Sequence, residues 1–144
     1  MSDNSIRTGK VSSVNYEQGT VRVFYPDTDN VTVEIPVLNF NGEYKMPKID
    51  DMVLVTHLSN GSALGIVGGT FWSPGNIPPE TGANIYRKDL AQNVGEAYIK
   101  YDSNTKTMML KADKIILESL NVKTNTVDLN TLNAGIVNSP VINS

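Results

Sequence analysis

The first seventy residues alternate between apolar and polar positions in short runs, which is the pattern of half-buried β-strands. In residues 20–24 and 31–35 every second side chain is apolar, so these side chains would face one core. Turn-forming residues separate the runs at the spacing of a small Greek-key barrel. The pattern predicts five strands, over residues 6–14, 20–25, 31–38, 52–58 and 63–71.

The predicted strands are joined by segments rich in turn residues. Glu17-Gln18-Gly19 would join the first two strands, residues 26–30 the next pair, and Asn60-Gly61 would close a hairpin between the last two. Glycine and proline then become frequent over residues 68–82, which predicts an extended linker that Trp72 would anchor as a partly buried side chain. We therefore assign residues 1–72 to a barrel domain, 73–95 to a Pro/Gly-rich linker and 96–144 to a second strand-rich domain.

The C-terminal third of the chain carries a repeat of five residues. Short strands are predicted over 95–102, 106–111 and 114–118, after which an apolar residue recurs at every fifth position. A polar residue and then a small or apolar residue follow each of these positions, which is typical of a β-solenoid and not of an α-helix. The recurring positions are Leu117, Val122, Val127, Leu132, Val137 and Ile142.

Six short repeats cannot bury their own apolar face, and their strand edges would stay open at both ends. Three copies wound around one axis solve both problems, because inward side chains meet their symmetry mates and strand edges pair between chains. The sequence thus predicts a homotrimer with a narrow core. The predicted core residues are Leu117, Val122, Val127, Leu129, Leu132, Val137 and Ile142.

Composition limits the functions that the chain can perform. With 144 residues, of which 40% are hydrophobic and 19% charged, it fits a globular domain with an appendage. It has no apolar run near 18 residues and no signal-like N-terminus, so synthesis in the cytoplasm is expected. The net charge of −3 arises from −4 in residues 1–80 and +1 in residues 81–144. Neither part forms the basic patch that nucleic-acid backbones require.

The residues that commonly perform catalysis are scarce. Cysteine is absent and His57 is the single histidine, which excludes thiolate chemistry and a multi-histidine metal site within one chain. We interpret His57 as a strand residue of the barrel, and Asp50-Asp51 and the Asp27/Asp29 pair as turn formers. Residues 65–69 are glycine-rich but lack a phosphate-loop signature. The sequence therefore predicts no enzyme activity, no catalytic residue, no cofactor and no metal.

The order of motifs in the first seventy residues resembles the OB-fold domain of phage baseplate assembly protein V. This family forms the central spike of contractile tails and has relatives in tail-like bacteriocins and type VI secretion spikes. The C-terminal repeat is similar in kind to the family's intertwined trimeric β-helix, the needle. The matching segments are Arg7-Thr8-Gly9-Lys10-Val11, Gly19-Thr20-Val21-Arg22-Val23, Ile35-Pro36-Val37-Leu38, Asp51-Met52-Val53-Leu54-Val55 and Gly65-Ile66-Val67-Gly68-Gly69.

The chain departs from the family in two places. Family members often carry glycine before the aspartate that opens the fourth strand, where this chain has Asp50, which tolerates left-handed backbone geometry. Many short spikes end in a His-x-His motif that binds iron at the apex, whereas residues 138–144 hold no histidine. The expectation is a tip completed by packing alone or by a separate capping protein.

The resemblance implies an all-β fold, with a five-stranded OB-fold barrel followed by a short intertwined trimeric β-helix. It implies a structural, non-enzymatic role as the envelope-puncturing spike of a phage virion or phage tail-like particle, assembled into the baseplate. Its partners would be two further copies, tail hub proteins, a tip-capping protein and the target cell envelope, but no nucleic acid. Candidate hub contacts are Arg7, Arg22 and the loop from Phe40 to Tyr44.

Two alternatives stay open. One is a small enzyme such as a wall hydrolase, which would require a mutable acid and measurable turnover. The other is an OB-fold binding module for single-stranded nucleic acid or glycan, because aromatic residues of the predicted barrel could stack on bases. The charge of −4 over residues 1–80, which contain these aromatic residues, argues against nucleic acid. The aromatic residues considered are Tyr16, Phe24, Tyr25, Phe40 and Tyr44.

Overall fold

A computed structural model describes residues 6–58 and 64–138 of the chain. Within these ranges the fold is all-β, with nine strands in two antiparallel sheets and no helix, and hence no helix suited to crossing a membrane. The strands of the first sheet are β1 Ile6–Asn15, β2 Thr20–Tyr25, β3 Asn30–Val31, β4 Ile35–Pro36, β5 Met52–His57 and β6 Gly65–Thr70. The strands of the second sheet are β7 Ile85–Asp89, β8 Tyr98–Asp102 and β9 Thr107–Lys111.

The first sheet is built around β1, which pairs with β2 on one side and β5 on the other. Its strand order is β3-β2-β1-β5-β6, and β4 also pairs with β2. Just after β4, Val37 forms a parallel bridge to Val67 of β6, and the Leu38 amide donates to the Val67 carbonyl at 2.8 Å. The segment after β4 therefore contacts the strand at the far end of the sheet order.

Each of the five strand runs predicted for the first seventy residues contains a strand, but the third run is split into β3 and β4. The split lies at Thr32, whose hydroxyl accepts a hydrogen bond from the Val23 amide at 2.9 Å. Beside the break between β3 and β4, a side-chain oxygen therefore accepts the hydrogen bond of a β2 amide. Of the three alternating apolar residues predicted to face the core, Val31 and Val33 are exposed and only Ile35 is buried.

The core of the first sheet consists mainly of valines from alternating strand positions. Fully burying one such side chain is worth about 1.5–3 kcal/mol, so this set supplies most of the apolar stabilisation of the sheet. The buried hydrophobic residues are Val11, Val21, Val23, Tyr25, Ile35, Met46, Val53, Val55 and Val67.

Two turns before strands use left-handed backbone. Gly19 precedes β2 with φ of 68°, and Asp50 lies before β5 with φ of 75°. The Asp50 amide also donates to the Val11 carbonyl at 2.8 Å. Asp50 thus adopts the left-handed backbone geometry that this residue type was expected to tolerate. The predicted Asn60-Gly61 turn lies outside the described residues.

The second sheet has the strand order β7-β8-β9. Strands β8 and β9 confirm the predictions over 95–102 and 106–111. Strand β7 lies within the range 73–95 assigned to the linker, which is therefore not wholly irregular. No strand forms over 114–118, where the sequence predicted one.

The chain divides into two compact units, Met1–Asp113, which contains both sheets, and Lys114–Ser144. The described part of the second unit, residues 114–138, contains no strand. Its backbone bends at Glu118, Ser119, Asn125, Asn130 and Gly135. The last three of these bends are five residues apart, the same period as the apolar repeat.

Candidate self-association surfaces

The C-terminal segment, residues 114–138, exposes its apolar side chains. Six of the seven residues predicted as a trimer core are 54–61% exposed in the single chain, and the seventh, Ile142, lies outside the described residues. Four further apolar residues of this segment are at least half exposed. Such a density of uncovered apolar surface marks an interaction site. The six core residues are Leu117, Val122, Val127, Leu129, Leu132 and Val137; the four others are Ile115, Ile116, Leu120 and Ile136.

The backbone of the C-terminal segment is also unpaired. Among the described residues, no backbone–backbone hydrogen bond joins any two positions of 114–138. Within this segment the Thr124 hydroxyl donates a hydrogen bond to the Thr126 carbonyl at 3.3 Å. Amide and carbonyl groups removed from water require partners, so covering this segment calls for donors and acceptors as well as apolar surface.

The two faces of the β7–β9 sheet differ in character. On one face, which we call the charged face, Arg87 donates to Glu80 at 2.9 Å and to Asp89 at 3.0 Å. Lys100 also donates to Glu80, and the Arg87 guanidinium lies 3.9 Å from the centroid of the Tyr98 ring. Contacts from the same chain thus satisfy the ionic groups of this face.

These contacts shift the acid–base equilibria of the charged face. Hydrogen bonds from Lys100 and then Arg87 hold the pKa of Glu80 below its ordinary value. The hydrogen bond from Arg87 does the same for the pKa of Asp89, while Asp89 and Glu80 raise the pKa of Arg87. Both carboxylates are therefore ionised at neutral pH.

Acid should weaken this part of the fold. A carboxyl whose pKa is lower in the folded state stabilises it fully above its unfolded pKa and loses that contribution as pH falls through the folded pKa. We expect Glu80→Gln to lower the melting temperature at pH 7 and to reduce its further fall between pH 7 and pH 3. Glu96→Gln, at an exposed carboxyl of the same unit, is the control. Equal pH dependence of E80Q and wild type in thermal melts would contradict this assignment.

The opposite face of the same sheet, which we call the apolar face, is exposed over part of its area, while Ile99 is half-buried and Lys88 pairs with Glu43. Strand register aligns Tyr86, Tyr101 and Met108 in one cross-strand row. It aligns Lys88, Ile99 and Leu110 in the next row. Tyr86, Met108 and Leu110 are each more than half exposed. No periodic signal identified this face, because β7 was assigned to the linker and β9 contains three consecutive apolar residues.

A groove of about 790 Å³ lies within the first unit, between residues 37–48 and 68–94. Phe40 and Trp72, both largely exposed, line it, and Phe40 has φ of 45°, a strained value for an aromatic residue. The prediction that Trp72 is a partly buried anchor is therefore wrong. Directly after Trp72 the backbone turns, and Ser73 and Asn76 exchange two backbone hydrogen bonds, at 3.1 and 2.9 Å.

The other candidate hub contacts differ in whether their side chains already contact other residues of the chain. Arg7 is engaged, since its guanidinium contacts Asp27 at 2.6 Å and lies 3.8 Å from the centroid of the Tyr25 ring. Arg22 and Tyr44 are exposed, although the Tyr44 hydroxyl donates to the Tyr16 carbonyl at 2.9 Å. Phe40 is thus the large apolar group that the loop presents.

His57 occupies a strand position in β5, as predicted. Its Nε2 lies 2.6 Å from the Tyr25 hydroxyl and its Nδ1 lies 3.3 Å from the Leu64 carbonyl. Nδ1 is placed to donate to the Leu64 carbonyl, and Nε2 shares a hydrogen bond with the Tyr25 hydroxyl. Burial is the main cause that raises the pKa of Tyr25. The contact between Tyr25 and His57 links β2 to β5 of the first sheet.

The remaining acidic candidates lie apart. Asp27 pairs with Arg7, Asp29 has φ of 54° in the turn before β3, and the Asp51 carboxylate accepts from the Lys48 amide at 2.8 Å. Across residues 6–58 and 64–138, no group of three or more His, Cys, Asp or Glu side chains is placed to hold a metal ion.

Comparison with known proteins finds no family whose model matches the chain and no curated protein that matches its sequence.

Proposed function

We propose that the chain is the central spike of a contractile tail or tail-like injection particle, acting as a homotrimer. The observation that carries the proposal is the C-terminal segment, whose apolar side chains and backbone groups are both uncovered. A second and third copy offer both kinds of partner at once, since apolar side chains meet at the axis and backbone groups pair between chains.

The proposed role of the first sheet is that of an OB-fold barrel. Two observations support a closed arrangement: β4 pairs with β2, and Val37 forms a parallel bridge to Val67 of β6. Together with the β1–β2, β1–β5 and β5–β6 pairs, these contacts support the proposed barrel of β1, β2, β4, β5 and β6. In the proposal, three such barrels form the wide end of the spike and dock on the tail hub.

The proposed mechanism is mechanical and uses no active site. A contracting sheath would push the trimer along its axis, and a rod with a dry core and hydrogen bonds between chains resists bending. The exposed Phe40 is the candidate contact to the hub. A tip-capping protein and the target envelope are the further proposed partners, and the protein would reside in the baseplate.

Labelling of intact particles tests this role. Antibodies against the chain, applied to tail particles from the source that encodes it, should label the central axis at the distal end of the baseplate. A matched particle preparation lacking the chain is the control. Labelling of sheath or fibres, or binding to free protein alone, would contradict the spike assignment.

The alternative remains a binding module for single-stranded nucleic acid or glycan, and the exposed rings of Tyr16, Phe40 and Tyr44 favour it. Tyr25 is buried in the core and cannot stack on a base. Saturable quenching of Trp72 fluorescence by oligonucleotides, weakening with salt, would support this alternative.

A further inference from the structure

The exposed loop from Phe40 to Tyr44 contains an asparagine followed directly by a glycine. The backbone nitrogen of Gly42 can attack the side-chain carbonyl carbon of Asn41, and glycine places no Cβ atom beside this nitrogen. Within the described residues, every other asparagine precedes a residue that carries a side chain. Asn41 is therefore the asparagine of the described chain whose attacking nitrogen is least crowded.

We infer that Asn41 is a site of spontaneous deamidation in the folded protein, with aspartate and isoaspartate as products. Hydroxide removes the proton of the Gly42 amide, and the nitrogen then forms a bond to Cγ of Asn41. The bond from Cγ to Nδ2 breaks, and the leaving nitrogen takes a proton from water, which releases ammonia, regenerates hydroxide and leaves a five-membered cyclic imide. Water opens this ring at either carbonyl, and each product carries one additional carboxylate.

The backbone of the loop holds the Gly42 nitrogen only weakly. Phe40, Asn41 and Gly42 form a turn with φ of 45°, 62° and 102°. In this turn the Gly42 amide donates to the side-chain oxygen of Asn39 at 3.3 Å, which is longer than the usual range for such a bond. The Leu38 amide, by contrast, donates to a backbone carbonyl of β6 at 2.8 Å. A weak bond to an exposed side chain leaves the Gly42 amide accessible to hydroxide.

Other asparagines are tethered by their side-chain amides. Asn76 donates to the Phe71 carbonyl at 3.0 Å, and Asn84 donates to the Asp102 carboxylate at 2.8 Å. Such bonds restrict rotation of the side-chain carbonyl toward the next backbone nitrogen. Asn41 and its neighbours in the loop are exposed, so water and hydroxide reach the reacting atoms.

The modification changes the loop in two ways. It lowers the formal net charge by one, from −3 to −4, and places a carboxylate directly after the exposed Phe40 ring. Isoaspartate also directs the main chain through the side-chain carbonyl, which adds one carbon atom to the backbone before Gly42. The left-handed turn over residues 40–42 cannot keep its geometry with a longer backbone.

Peptide mapping of the full-length chain after incubation at mildly alkaline pH tests the inference. Trypsin releases Asn41 within residues 23–45, and it releases Asn60, the other asparagine followed by glycine, within residues 49–87. Deamidation raises the peptide mass by one unit, and fragment spectra assign the position. Isoaspartyl methyltransferase labels the isoaspartate product. The two asparagine–glycine sites are therefore read separately.

Asn41→Gln is the control variant, because its longer side chain would have to close a six-membered ring. We expect conversion of Asn41 at least tenfold faster than that of Asn30 and Asn39, which lie in the same peptide and precede bulky residues. N41Q should remove this signal and leave conversion elsewhere in the chain unchanged. Equal conversion of Asn41 and Asn39 would overturn the inference.

The same chain unfolded in urea gives the rate of conversion without the fold. We expect the folded chain to convert Asn41 at a rate within tenfold of the unfolded chain, because the loop holds the Gly42 nitrogen weakly. A folded rate more than tenfold slower would overturn the inference, since the loop would then protect Asn41. Both measurements are independent of the oligomeric state and hence of the proposed spike.

Discussion

Replacing Leu132 by aspartate is expected to convert the oligomer to monomers at micromolar concentration. Burying one leucine is worth about 1.5–3 kcal/mol, so the three copies lose roughly three times that amount. Three carboxylates would also be forced together out of water, at several kcal/mol for each ion. Leu132 is largely exposed in the single chain, so the substitution leaves the fold of the first unit intact. Size-exclusion chromatography with light scattering measures the change.

Asn133→Asp is the matched control for this experiment. It adds the same charge at the adjacent position, which the five-residue repeat directs outward. The control should retain the oligomer, and both variants should keep the wild-type circular dichroism of the first unit. Equal loss of the oligomer in L132D and N133D would contradict the inward and outward assignment of the repeat.

Replacing Gly9 by alanine is expected to destabilise the first sheet by about 3 kcal/mol. A Cβ atom at this position would overlap Val23 Cγ1 and would lie 2.8 Å from Tyr25 Cδ1 and 2.9 Å from the Phe24 carbonyl oxygen. All three lie in β2, and both side chains belong to the buried core, so no neighbour can yield without shifting the strand pair. Urea denaturation at fixed protein concentration gives the free energy of unfolding.

Gly68→Ala is the control, in β6 of the same sheet. Its added Cβ would meet only Leu54 atoms, at 3.7 and 3.9 Å, which is ordinary van der Waals contact. G68A should therefore change the free energy of unfolding by less than about 1 kcal/mol. Equal effects from G9A and G68A would contradict the tight β1–β2 packing described above.

The first sheet was largely predictable because its core obeys a period of two. Val21 and Val23 are buried as alternation requires, and the run over 52–58 yields β5 with Val53 and Val55 inside. The prediction of one continuous third strand, over residues 31–38, was wrong. Threonine is common in strands, but the Thr32 hydroxyl accepts a hydrogen bond from the Val23 amide. Such local competition between side chain and backbone has no periodic signature.

The second sheet was only partly predictable. The sequence of β7 has no apolar alternation. The strand is held by pairing with β8 and by the ionic contact between Arg87 and Asp89. The glycines and prolines before β7 correctly predicted irregular backbone, but they did not indicate that this irregular segment ends at Ile85. The exposure of the Trp72 side chain was likewise not predictable from its apolar character.

Of the two exposed apolar surfaces, one was predictable from the sequence and the other was not. The C-terminal repeat was visible because its period is regular, and the structure places its apolar residues where water reaches them in one chain. The apolar face of the β7–β9 sheet was invisible, because it arises from three strands brought together by register. Sequence patterns describe single segments, whereas such a face exists only after pairing.

The solution mass of the full-length chain is the most direct test of the central claim. The account predicts a homotrimer of about 47 kDa, three times the chain mass of 15.7 kDa, that resists detergent before boiling. A stable monomer of 15.7 kDa across the micromolar range would contradict it, because the exposed apolar repeat would then be a surface that the protein tolerates in water.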